Sequence, residues 1–159
     1  MEARLFSLAA EVEVKRLRPA REGRPLPAYA TPGAAGMDLT AALDEPLELR
    51  PGERCLVPTG IAIALPGPHL VGLVFARSGL AARHGIQLAN GVGVIDSDYR
   101  GEIKVALLNA GSEPFVIHDG DRIAQLVVVP VVAVRWREVE ELTPSERGEG
   151  GFGSTGLRG

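Results

Sequence analysis

The chain has 159 residues, 45% of them hydrophobic, which suits one domain with a real core and excludes a wholly disordered chain. Seventeen basic against twenty acidic residues leave a net charge of −3, so there is no electrostatic footprint for nucleic acid or an anionic membrane. One cysteine, Cys55, allows no internal disulfide and cannot by itself build a structural zinc site.

The opening M-E-A-R-L-F carries an early Glu2 and no long apolar stretch, which makes a poor secretory signal. No apolar run approaches the roughly 20 residues of a bilayer span, and the expected compartment is the cytoplasm. Twenty glycines and twelve prolines cut the chain into short elements, favouring strands and turns over long helices. Residues 11–17 (E-V-E-V-K-R-L) alternate charged and apolar positions and predict a half-buried strand. Further strands are predicted at 47–49, 54–65, 70–76, 86–95, 103–109, 115–118 and 122–136. Pro130 inside the last of these argues for a break or an edge, since proline donates no ladder hydrogen bond. Many short strands at near-regular spacing predict an all-β sandwich, jelly roll or barrel.

One segment, 78–84, reads as a short helix, with Ser78 as N-cap and Gly85 as its left-handed stop. The tail 143–156 (T-P-S-E-R-G-E-G-G-F-G-S-T-G) holds five glycines and one aromatic, so it cannot pack as a core element and is expected to be mobile alone. The division is thus a β domain over 1–142 and a flexible Gly-rich arm over 143–159.

Several segments carry chemistry. In F-A-R-S-G-L (75–80), unpaired N–H groups at a helix start, Arg77 and the Ser78 hydroxyl make a phosphate cradle; a capped helix with a surface arginine reads the same residues. In N-G-V-G-V-I-D-S-D-Y-R-G (90–101), Gly91 and Gly93 permit close approach of a ligand, and the end looks like a hairpin turn. Asp96 follows apolar Val94 and Ile95 at the end of a buried stretch, where it serves equally as a turn aspartate or as a general base on water. Asp98 and Arg100 read as turn residues. Asp38 in G-M-D-L is either a turn carboxylate or an outer ligand of Mg²⁺ held chiefly by substrate phosphates. In G-D-R-I-A-Q-L (120–126), alternation puts Ile123 and Gln125 on one face, away from Ala124 and Leu126. Gln125 then offers an amide to an anion, while Asp121 and Arg122 fix the turn. In the tail, Arg147, Ser154 and Thr155 supply charge and donors, and Phe152 a stacking face; a disordered end is the alternative. His69, His84 and His118 have no second histidine at ligand spacing, and Ser78 has no triad partners.

Five segments in order, A-G-M-D-L, R-S-G-L-A, N-G-V-G-V-I-D-S-D-Y-R-G, G-D-R-I-A-Q-L and R-G-E-G-G-F-G-S-T-G, resemble the five motifs of the trimeric dUTPase family. P-L-P-A-Y-A-T-P-G (25–33) resembles the family's lead-in, and only residues 1–10, a possible N-terminal extension, fall outside the pattern. The resemblance implies a jelly-roll-like β-barrel of the β-clip type, assembled as a homotrimer with active sites shared between subunits. The implied activity is Mg²⁺-assisted hydrolysis of dUTP to dUMP and pyrophosphate, which removes dUTP and supplies dUMP for thymidylate synthesis. By the same resemblance Asp96 orients the water that attacks the α-phosphorus. Asn90, with the backbone of Val94, Ile95 and Asp96 and a contact from Lys104, reads uracil, and Tyr99 packs under the deoxyribose. Arg77, Ser78, Gly79 and Gln125 hold phosphates, and Asp38 contacts Mg²⁺ through water. Arg147, Ser154 and Thr155 clamp phosphates from the arm, while Phe152 stacks over the base.

Two alternatives are kept. A dCTP deaminase-like enzyme, similar in fold, needs a glutamate to activate water; the nearest is Glu102, which reads as a strand residue at the hairpin exit. A non-catalytic trimeric nucleotide-binding protein would share the barrel but not need Asp96 or the arm.

Overall fold

The computed structural model describes residues 9–19 and 24–151. Its strands are β1 (Glu13–Arg16), β2 (Met37–Thr40), β3 (Leu47–Leu49), β4 (Arg54–Pro58), β5 (Ile61–Ala64) and β6 (Leu70–Ala76). After the helix α1 (Ser78–His84) come β7 (Ile86–Leu88), β8 (Gly93–Ile95), β9 (Lys104–Asn109), β10 (Phe115–Ile117) and β11 (Arg122–Pro130). The strands pair antiparallel in four groups, β2-β11-β6-β8, β4-β9-β7, β1-β5 and β10-β3. None of the described helices is long and apolar enough to cross a membrane.

The core fills from alternate strand positions. In β9, Val105, Leu107 and Asn109 point inward, between exposed Lys104 and half-buried Ala106 and Leu108. Val105 and Leu107 join Leu39, Leu49, Val57, Ile86, Ile117 and Ile123 in one core cluster, all nearly inaccessible. Each such leucine or isoleucine contributes roughly 1.5–3 kcal/mol of burial. Asn109 is the polar exception. Its amide donates to the carbonyls of Leu49 and Glu113, both at 2.8 Å, and accepts from the Gly111 N–H at 2.9 Å. Gly111 lies so close to Gly85 that a Cβ on Gly85 would collide with it, so this knot also anchors the end of α1. Asn109→Ala would leave two carbonyls and an N–H unsatisfied and is expected to destabilise the protein by about 3 kcal/mol. An unchanged urea midpoint would contradict that.

The structure corrects several expectations. β1 forms, but all four of its residues are exposed rather than half-buried, because among the described strands it pairs only with β5, at the barrel's edge. Residues 54–65 split into two strands at Gly60, whose φ of 71° is left-handed and turns the chain. Residues 86–95 also divide, because β7 pairs with β9 and β8 with β6. The predicted strand 122–136 stops at Pro130, and residues 131–136 are exposed chain. Alternation within β11 fails at a bulge. Two steps from Arg122 to Ala124 match one step from Thr40 to Leu39 on β2, so Ile123 is the extra residue. It is buried together with Ala124 and Leu126, and Gln125 alone faces the other way.

Candidate active site

Two cavities take up most of the residues singled out by sequence. The smaller, about 430 Å³, is lined by Asn90, Val94, Ile95, Asp96, Tyr99 and Lys104 among others. These are all the expected base- and sugar-contacting residues except Phe152. The larger, about 770 Å³, brings together Asp38, Arg77, Ser78, Gly79 and Gln125, to which Arg83, His84 and Arg122 are added. Phe152, Ser154 and Thr155 lie outside the described residues. Arg147 lines neither cavity; its Nε donates to the Gly150 carbonyl at 2.6 Å within a local turn.

The smaller cavity is built by β8 and the loop after it. Along β8 only Ile95 is buried, while Val94 is 63% exposed and Asp96 is exposed with it. Period-two alternation therefore turns Val94 and Asp96 to the same, open side, and the expected buried stretch before Asp96 reduces to one residue. Gly93 is explained by packing: a Cβ there would lie 3.0 Å from the Val74 Cβ on β6. Gly91 has a φ of 73°, which favours glycine. The 96–101 segment is not a hairpin. β8 spends its hydrogen bonds on β6, and β9 belongs to the other sheet, so the loop crosses between sheets. It is held by a tight turn, Tyr99 N–H to Asp96 carbonyl at 3.1 Å, and by Arg100 donating to the carbonyls of Ser97 and Tyr99. The Tyr99 hydroxyl donates to the Glu102 carbonyl, and the ring crosses Gly101 where any side chain would collide with it. Glu102 precedes β9 rather than belonging to it, and its carboxylate accepts the Gly60 N–H at 2.9 Å.

The larger cavity sits where β6 gives way to α1. Ser78 is the first helical residue, not the N-cap. Arg77, extended at φ −83° and ψ 127°, holds that position, and its carbonyl closes the first turn with Ala81. No side chain caps this end, so the N–H groups of Ser78 and Gly79 have no partner within the helix. Gly85 ends the helix at φ 69°, as expected. In the middle strand of the cavity wall, Gln125 pairs with Asp38 of β2 and Phe75 of β6. Its amide donates to the Ala76 carbonyl, and a Cβ on Gly36 would lie 2.7 Å from its Oε1, so Gly36 makes room for that amide.

Asp38 receives two guanidinium groups. Arg77 Nε lies 3.0 Å from Oδ1, and Arg122 Nη1 lies 3.3 Å from Oδ2. Arg122 thus reaches across the cavity instead of fixing its turn, whereas Asp121 does fix it by accepting the His118 N–H. Sequence reasoning missed Arg122, and no local signal identified it, because its partner lies 84 positions away. Arg77, Arg83 and Arg122 against the single carboxylate of Asp38 leave a surplus of two positive charges among these side chains. The smaller cavity has the opposite balance, Asp96 and Glu102 against Lys104. An anionic chain of phosphates suits the first, and an uncharged ring suits the apolar walls of the second.

Among the described residues no group of three or more His, Cys, Asp or Glu stands together. A lone carboxylate beside a phosphate-attracting cavity fits Mg²⁺ carried largely by ligand phosphates and waters, not a preformed protein cage. Cys55 has its thiol pushed up, first by burial and then by the Glu53 carboxylate, so it keeps its proton at neutral pH.

Comparison with known proteins adds identity to this geometry. The dUTPase family model matches residues 23–156. The deoxyuridine 5'-triphosphate nucleotidohydrolase of Desulfitobacterium hafniense is 60% identical over 132 residues, covering 83% of this chain and 87% of that protein. Its counterpart from Neisseria meningitidis is 56% identical over 147 residues, covering 92% and 97%. Among solved structures, the Staphylococcus bacteriophage 80alpha dUTPase with dUPNHPP superposes with a TM-score of 0.81 at 28% identity, over 92% of this chain and 99% of that one. Among the described residues, eleven strands and one short helix accordingly form the expected jelly-roll β-barrel.

Proposed function

The chain belongs to the dUTPase family, and from that premise we propose that it hydrolyses dUTP to dUMP and pyrophosphate at sites shared between subunits, with Asp96 holding the attacking water. One observation carries the shared-site reading. β6 and β8 pair with Gly72 opposite Ile95, so Asp96 falls beside Val71, while Arg77 lies six residues further on, just past the end of β6. At about 3.4 Å per residue the two are about 20 Å apart on one chain. A water-bearing carboxylate and the donors on the same phosphate must each come within about 3 Å of their targets, or one water more. That separation supports a site completed by a second chain. Val132, Val134 and Trp136, 88%, 65% and 94% exposed, also call for a neighbouring copy to cover them. The resemblance to the trimeric family supports a homotrimer as that assembly.

In the mechanism, uracil and deoxyribose occupy the smaller cavity of one subunit, against Asn90, the backbone of Val94, Ile95 and Asp96, Lys104, and the Tyr99 ring. The triphosphate extends to the larger cavity of a neighbour, where Arg77, Arg122, Gln125 and the free N–H groups of Ser78 and Gly79 balance its charge. A carboxylate Oδ of Asp96 accepts a proton from water as the water oxygen attacks the α-phosphorus in line. The bond to the bridging oxygen breaks and pyrophosphate leaves. Asp38 would hold Mg²⁺ through water, and the ion would supply further neutralising charge on the leaving group. Arg147, Phe152, Ser154 and Thr155 would close the site from the arm. Tyr99 refuses a 2′-hydroxyl, and the backbone edge refuses cytosine because a donor would face a donor.

Glu102 is the residue a deaminase-like reading would need, and its carboxylate already accepts the Gly60 N–H. Pyrophosphate release measured with dUTP, dCTP, dTTP and UTP is expected to favour dUTP by at least about 10²-fold. Ammonia from dCTP would favour a deaminase, and tight dUTP binding without turnover would favour a non-catalytic nucleotide-binding protein.

A further inference from the structure

The loop that carries Asp96 and Tyr99 crosses between sheets without ladder partners, so something else must fix it to the barrel. Its attachment is the corner between β4 and β5. There the Thr59 N–H and hydroxyl donate to the Ile103 carbonyl at 3.1 and 2.6 Å, and the Ile103 N–H donates to the Ile61 carbonyl at 2.9 Å. Between Thr59 and Ile61 stands Gly60, whose left-handed backbone takes its N–H out of the strand ladder. The Glu102 carboxylate accepts that N–H, while the Glu102 carbonyl accepts the Tyr99 hydroxyl. One residue thus touches the corner with its side chain and the tyrosine with its backbone. The corner is itself held from outside by the Leu17 N–H on the Gly60 carbonyl.

We infer that Glu102 is a positioning residue: by clasping the loop to the Gly60 corner it fixes the Tyr99 ring at the cavity wall, and so sets how strongly the enzyme refuses a 2′-hydroxyl. A hydrogen bond to an ionised acceptor is stronger than a neutral one, and this one is half-buried, which suits it to hold a loop that has few other ties. The inference rests on the reading that Tyr99 packs against the sugar.

The test compares wild type, Tyr99→Ala, Glu102→Ala and Glu102→Gln for kcat/KM on dUTP and UTP, with the thermal midpoint of each. Glu102→Ala is expected to keep its midpoint within a few degrees and to lose about tenfold of the dUTP-over-UTP preference, with KM for dUTP raised and kcat nearly kept. Glu102→Gln retains an oxygen that can accept the Gly60 N–H and should recover most of the preference. If Tyr99→Ala loses the preference but Glu102→Ala keeps it, the clasp is refuted and the sugar-reading role of Tyr99 stands. A Tyr99→Ala enzyme with unchanged preference removes that role, and the inference with it. Glutamine as damaging as alanine also overturns it. Should Glu102→Ala fail to fold, Glu102→Asp, one methylene short of the Gly60 N–H, takes its place in the same comparison.

Discussion

Asp96→Asn is expected to bind a non-hydrolysable dUTP analogue about as tightly as wild type and to lose about 10³-fold in turnover. The substitution keeps shape and hydrogen-bonding oxygen but removes the basic group that takes the water's proton. Folding should be untouched, because the Asp96 side chain is exposed and only its backbone carbonyl takes part in the turn with Tyr99. Titration calorimetry with the analogue and a pyrophosphate assay with dUTP separate the two quantities. A variant that turns over at more than a tenth of the wild-type rate removes Asp96 from the role of base. One that no longer binds would instead make it a recognition residue.

The second prediction follows from the distance between Asp96 and Arg77 along β6. Arg77→Ala and Asp96→Asn, each nearly inactive as a pure homo-oligomer, are expected to regain activity when mixed under conditions of subunit exchange. A site formed by the Asp96 of an Arg77→Ala chain and the Arg77 of an Asp96→Asn chain is whole. Equal random mixing in a cyclic assembly makes roughly one quarter of the sites whole, so activity should rise to about that fraction of wild type. Loss of the Arg77–Asp38 pair costs little structurally, since both side chains keep partial access to solvent. If each site belonged to a single chain, every mixed assembly would contain only damaged sites and no activity would return. That outcome would overturn the shared-site mechanism while leaving the substrate assignment intact.

Much of the site was legible because its chemistry is local in the chain. R-S-G at a strand-to-helix junction and N-G-V-G-V-I-D in a glycine-punctuated stretch bring their donors and carboxylates together within a few residues. The structure duly gathers them into two cavities. Contacts between distant segments were not legible. The Arg122–Asp38 pair spans 84 positions and the Glu102–Gly60 bond 42, and neither residue type at those positions announces its partner. Strand pairing shows the same divide. Apolar β-type runs located β6 and β10 well, but they could not say that β8 would join β6 while β9 turned to β4 and β7, which is what removes the expected hairpin. Pro130 marked the end of β11 correctly as a break, and the valines beyond it misled only because apolar content does not say whose surface it will cover.

The extra residue at Ile123 makes chain length, as well as side-chain identity, a determinant of the phosphate cavity. Downstream of the bulge, β11 is rephased so that Leu126 enters the core and Gln125 stands between Asp38 and Phe75. Removing Ile123 would leave Gln125 opposite Asp38 and Leu126 opposite Met37, but it would take one side chain out of the core and straighten the strand beside Arg122. The segment should therefore tolerate exchanges of one apolar residue for another far better than a single-codon deletion, which would thin the core and disturb the bend beside the Arg122–Asp38 pair.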